Sequence, residues 1–151
     1  MATSKGMLVR QYAISLVGRR YYLGEEPWYQ ISPVYTTSNT MDMDCSGLVY
    51  GVMRKSGVLW SGGGTFQRKT ANEYYALCKK LTSPSAIGDM GFILNSSGKA
   101  VHVILYIGNG ETVEARGTAY GVKRYSLYDK TNGAIARGAK WGRFNWSTGL
   151  V

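Results

Sequence analysis

Two side chains in this sequence could act as a nucleophile and its base. Cys45 stands between Asp44 and Ser46-Gly47, just ahead of the apolar pair Leu48-Val49. If Asp44 caps a helix there, Cys45 lies in its first turn. Unpaired backbone N–H groups and the helix dipole at that end favour thiolate over thiol. A free thiol is only a few per cent ionised near neutral pH, so a base would help more. His102 is the single histidine, and imidazole is the side chain whose ordinary titration range suits that task. Each residue also has a plainer reading. Cys45 precedes Leu48 and Val49 by one turn and fits equally well as a small core residue. His102 sits in V101-H-V-I-L-Y-I107, apolar on both sides, where a satisfied core histidine is an ordinary outcome. Cys78 falls on the apolar face of a later helix and reads as core. Two cysteines leave room for one bridge but not for a disulfide framework.

A base needs an orienting partner on its second ring nitrogen. Glu114, in the strand after His102, is the candidate, and sheet register decides whether it can serve. A two-residue Asn-Gly turn pairs Gly108 with Glu111 and sends Glu114 to the opposite face. A three-residue loop, 108–110, with Gly110 left-handed, pairs Ile107 with Glu111. It makes Glu114 the diagonal neighbour of His102 on one face. The Cys-His-Glu arrangement therefore requires the odd loop. Without it Glu114 is a solvent-facing strand carboxylate.

The elements that must hold these residues are legible in outline. Leu8, Val9, Tyr12, Ala13, Leu16 and Val17 recur at helical spacing, predicting a helix over Ser4–Val17 that Gly18 ends. Residues 19–41 hold two prolines and many turn formers and read as a long loop. A second helix starts after Asp44, with Leu48, Val49, Val52 and Met53 as its stripe and Arg54-Lys55 at its negative end. T70-A-N-E73 is a capping box for a third, with Tyr74, Leu77, Cys78 and Leu81 on its apolar face. Strand-like runs come next at 90–94, 101–107, 112–116 and 121–126, and the tail W141-G-R-F-N-W146 is aromatic and expected to pack. Helices first and a meandering sheet second make an α+β domain, and the length of 151 residues suits one domain.

The balance of 18 Lys and Arg against 9 Asp and Glu, a net +9, favours a polyanionic partner. The basic residues are scattered, with no dense run and no nucleic-acid motif, so a generally positive surface is expected rather than a nucleic-acid groove. No apolar stretch is long enough to span a membrane. Arg10 interrupts the only N-terminal run resembling a Sec signal. One histidine and no Cys-x-x-Cys argue against a metal site, and no cofactor is implied.

D44-C-S-G-L-V49, G88-D-M90, H102-V-I-L-Y-I-G-N-G110 and V113-E-A115, with G18-R-R-Y21-Y-L-G24 ahead of them, resemble the NlpC/P60 family of cell-wall peptidases over about residues 5–117. The resemblance implies a papain-like α+β fold, N-terminal helices carrying the cysteine and an antiparallel sheet carrying the histidine. It makes Cys45 the nucleophile, His102 the base and Glu114 the third polar residue, where the family usually has His, Asn or Gln. Tyr21 would line the active site near the oxyanion. Asp44 and Ser46 would border the substrate groove. Glu25 replaces the family's second glycine after Tyr-x-x-Gly. The implied activity is peptidoglycan hydrolysis at a stem-peptide amide, the γ-D-glutamyl–diamino acid bond first. N-acetylmuramoyl-L-alanine amidase action, lipid acyl hydrolysis or transfer, and a non-catalytic wall-binding module are the alternatives. The implied partner is the anionic cell wall. The tail resembles the segment C-terminal to such domains in phage lysins, which suggests holin-released or virion-borne delivery and partners among virion tail proteins, with a secreted antibacterial effector or a piece of a larger protein as the alternatives.

Overall fold

The computed structural model describes residues 4–28 and 42–145. Among the described residues three helices come first: α1 (Lys5–Ser15), α2 (Cys45–Lys55) and α3 (Ala71–Leu77). Six strands of the described residues come after them: β1 (Lys79–Leu81), β2 (Met90–Leu94), β3 (Ala100–Gly108), β4 (Glu111–Ala115), β5 (Val122–Ser126) and β6 (Lys140–Arg143). They form one sheet in the order β1-β6-β2-β3-β4-β5, antiparallel at every pairing. This is the α+β arrangement that the sequence predicts.

Each helix start has a cap. Ser4 accepts from the Met7 N–H, Asp44 from Gly47, and Thr70 and Glu73 close the capping box. Val9, Ala13, Leu48, Val49, Val52, Met53 and Tyr74 of the helices are buried with Val103, Leu105, Val113 and Ala115 of the sheet. A smaller cluster, Ile104, Tyr106, Leu127, Ala134 and Trp141, brings in the turns after β5. Trp141 and Phe144 are buried, as expected of the aromatic tail. Trp146 lies outside the described residues.

Three expectations need correction. The first helix stops at Ser15, capped by Leu16, rather than running to Val17. The third stops at Leu77, which is half exposed, and Cys78 is already extended. Residues 79–81 leave the helix because they pair with 143–141 of β6. Neither of these two short strands shows enough alternation to be read locally. Cys78 is buried as expected, and burial pushes its thiol up to about 12. Both cysteines are free, so there is no Cys45–Cys78 bridge. Of the long loop expected at 19–41, residues 29–41 lie outside the described part.

The third correction bears directly on the site. The β3–β4 turn is the two-residue Asn109-Gly110, both with positive φ (54° and 70°), and Gly108 pairs with Glu111. The three-residue loop expected to be required for the Cys-His-Glu arrangement is absent. The next pairs are nevertheless Tyr106↔Thr112 and Leu105↔Val113, because Ile107 is an extra residue bulged out of β3. The bulge shifts the register by one. From Tyr106 onward the pairing is the one the longer loop would have set, and His102 and Glu114 share a face.

Candidate active site

His102 sits between two irregularities. Beyond it, Ile93 pairs with His102 but Leu94 pairs with Ala100, leaving exposed Val101 as a second extra residue. Bulges of this kind re-aim a side chain at the edge of a site. The His102 Nε2 is 2.8 Å from Glu114 Oε1, and Glu114 is 1% exposed. The other Glu114 oxygen accepts from the Arg137 guanidinium. Burial alone would raise the Glu114 carboxyl, but the bonds from His102 and Arg137 hold it below the usual carboxylate range. Burial likewise disfavours a charged imidazole at His102. Hydrogen bonds and charge from Cys45 and Glu114 outweigh it, and the ring is pushed up to about 9.

Cys45 is the first residue of α2 and half-buried. The chain ahead of the helix fixes its place. Residues 20–22 run beside Met43: Tyr22 N–H donates to the Met43 carbonyl, and Met43 N–H to that of Arg20. This Tyr21↔Met43 bridge brings the Tyr21 side chain to the cysteine. Burial, then Cys45 and Asp44, raise the Tyr21 hydroxyl, so it stays a protonated donor at neutral pH.

Asp44 and Ser46 hold the start of α2 in place. Asp44 accepts from Gly47 N–H at 2.7 Å, Gly24 N–H at 2.9 Å and Arg68 Nη2 at 3.0 and 3.1 Å. The buried Ser46 hydroxyl donates to it at 3.3 Å. Gly47 has no alternative: a Cβ there would lie 2.1 Å from the Glu25 carbonyl oxygen. Glu25, where the resemblance expects a second glycine, takes part through its backbone, its carbonyl accepting from Asp44 N–H. The two motifs G18-R-R-Y21-Y-L-G24 and D44-C-S-G47 are thus one hydrogen-bonded unit.

A cavity of about 350 Å³ opens onto this unit, lined by Tyr21, Cys45, His102, Arg116 and Arg137, with Ile93, Val101 and Gly117. A second, of about 400 Å³, shares Tyr21 as a wall and lies between residues 18–22, Asp42 and 118–121. Arg116 and Arg137 are the residues that sequence reasoning missed, having counted them only among the scattered cations. Their places depend on long-range packing of the 127–139 turns, and no local motif marks them. No group of three His, Cys, Asp or Glu among the described residues could hold a metal ion. No helix among them is long and apolar enough to cross a membrane. The arrangement can deliver a sulfur nucleophile, a proton carrier held by a carboxylate, and donors for a developing oxyanion.

The sequence model of the NlpC/P60 family matches residues 18–137. No curated protein matches the chain by sequence. Among solved structures, NlpC1 of Trichomonas vaginalis superposes with a TM-score of 0.67 at 21% identity, over 98% of this chain and 46% of that one. The peptidoglycan hydrolase RipB of Mycobacterium tuberculosis gives 0.58 at 24%, over 92% and 64%. RipD of the same organism, described as a non-catalytic NlpC/p60 domain protein adapted to peptidoglycan binding, gives 0.62 at 20%, over 94% and 98%. The chain spans about half the length of the two Trichomonas proteins, 46% and 49%. At these identities the likeness is one of fold.

Proposed function

The chain belongs to the NlpC/P60 family, and on that premise we propose that it is a peptidoglycan hydrolase that cuts a stem-peptide amide by Cys-His catalysis. The observation that carries this is that Cys45 and His102 line one open cleft, with His102 bonded behind it to buried Glu114 and Glu114 to Arg137. A wall-binding module like RipD has no need of such a chain. The Cys45 sulfur attacks the amide carbonyl. The oxyanion is held by the Cys45 N–H, which has no intrahelical acceptor at the first helical position, and by the Tyr21 hydroxyl. The His102 imidazolium gives its proton to the leaving amine as the C–N bond breaks, leaving a thioester. His102 then takes a proton from water, whose oxygen attacks the thioester, and the acid product departs as the sulfur is released and the imidazolium restored.

The bond proposed is γ-D-glutamyl to a diamino acid, with cleavage at the muramoyl–L-alanine amide as the alternative on the same scaffold. The net +9 suits an anionic wall. A phage lysin or virion-borne enzyme, working beside tail proteins, is the setting proposed from the tail sequence. Iodoacetamide tests the mechanism. Half-buried Cys45 should alkylate well before buried Cys78, and wall-clearing activity should vanish in step with Cys45 labelling on peptide mapping. Full activity after stoichiometric Cys45 labelling would end the proposal.

A further inference from the structure

We propose that Arg116 forms a carboxylate-recognising subsite beside the nucleophile, so that the preferred acyl group carries a free carboxylate near the scissile carbonyl. Arg116 lines the same cavity as Cys45 and His102. Its Nη1 donates to the Tyr125 hydroxyl at 2.9 Å and to Asn132 Oδ1 at 2.8 Å, and its guanidinium carbon stands 4.3 Å from the Tyr120 ring centre. These partners are all neutral. Among the described residues Arg116 has no ion pair, whereas Arg10, Arg68, Arg124, Arg137 and Arg143 each have one. Hydrogen bonds through one nitrogen fix the group and leave the rest of its fork for a ligand.

The charges around the cleft point the same way. Arg116, Arg137 and His102 line it, and among the described residues no carboxylate does. Glu114, whose charge acts on Arg116 without an ion pair, is buried, with one oxygen taken by His102 and the other by Arg137. An oriented, permanently charged guanidinium that is only partly exposed suits a bidentate carboxylate. The identity of that carboxylate rests on the hydrolase reading. In a γ-glutamyl amide the α-carboxyl is two methylenes and one Cα from the scissile carbonyl. A group held at Cys45 could therefore reach Arg116 with it. An amidated glutamyl residue would offer a neutral carboxamide instead, which leaves the cation without a counter-ion and presents it with an N–H donor.

The test uses L-Ala-γ-D-Glu–diamino acid tripeptides, lysine and diaminopimelate forms, with the glutamyl α-carboxyl either free or amidated. Binding is measured by calorimetry to the Cys45→Ser protein, and hydrolysis with wild type. The free-carboxylate peptides should bind about ten- to a hundred-fold more tightly than their amides. Arg116→Gln should remove that difference, with the loss falling on the free-carboxylate peptides. Arg116→Lys should keep part of it, and melting curves will confirm both variants fold. Equal binding of the two peptides, equal loss on both in Arg116→Gln, or no binding of either would overturn the subsite. Hydrolysis by wild type with no preference would overturn the subsite and leave the hydrolase reading standing. A binding preference without hydrolysis would do the reverse.

Discussion

His102→Ala should lower wall hydrolysis at least about a thousand-fold, because one side chain supplies both proton transfers. The pH profile separates this from a structural effect. With its ring pushed up to about 9, wild-type His102 stays protonated through neutral pH and loses its proton as the pH rises past that value. The alkaline limb of kcat/KM should therefore fall near pH 9 and belong to the Cys45–His102 pair as a unit. The residual activity of His102→Ala should lack that limb. Glu114→Gln removes one of the groups that raise the ring, so its limb should shift to lower pH with a smaller loss of rate. An unchanged profile in Glu114→Gln would assign the orienting role elsewhere. Stability changes with the same sign. The raised imidazole contributes fully below its ordinary 6.5, and that contribution disappears as the pH climbs through about 9.

Arg68→Ala should be the most destabilising single change near the site. Its Nη2 bonds both oxygens of Asp44, and its Nε lies 3.7 Å from Glu26, which is fully buried. Without Arg68 two buried carboxylates lose their cation, and breaking such a pair costs roughly 3 kcal/mol. At this chain length that is a fall in Tm of about 6–12 °C. Asp44 caps α2 directly ahead of Cys45, so activity should fall even at temperatures where the variant is folded. Arg68→Lys should recover part of both, since it keeps the charge but not the two-pronged contact. A melting curve within a degree or two of wild type for Arg68→Ala would show that the Asp44–Glu26 pair is neutralised some other way.

The parts of the fold that were legible in the sequence share a cause. Asp44, Thr70 and Glu73 act on backbone groups three residues away, and such local chemistry is written in adjacent residues. The same holds for Asn109-Gly110, whose positive φ values were foreseeable from residue type. What was not foreseeable there was the Ile107 bulge. The register that the Cys-His-Glu arrangement needs is present with the two-residue turn, because a bulge and a longer turn move the pairing by the same single residue. β1 and β6 were missed because each is short and exists only through the other or through β2. Arg137 and Arg116 obey the same logic at the site. Arg137 reaches Glu114 from a turn segment, and Arg116 is fixed by Tyr125 and Asn132. Asp44 and Ser46 were correctly tied to the cysteine motif. Their side chains are buried in the cap network.

Cysteine-dependent wall hydrolysis is best tested by digesting purified, insoluble peptidoglycan with wild-type and Cys45→Ser protein, with mass spectrometry of the soluble fragments. Walls of both diamino-acid types should be used. Wild type alone should release fragments, with masses that place the cut at the γ-D-glutamyl–diamino acid amide. Equal release by folded Cys45→Ser, or no release from either wall by folded wild type, would contradict a cysteine hydrolase.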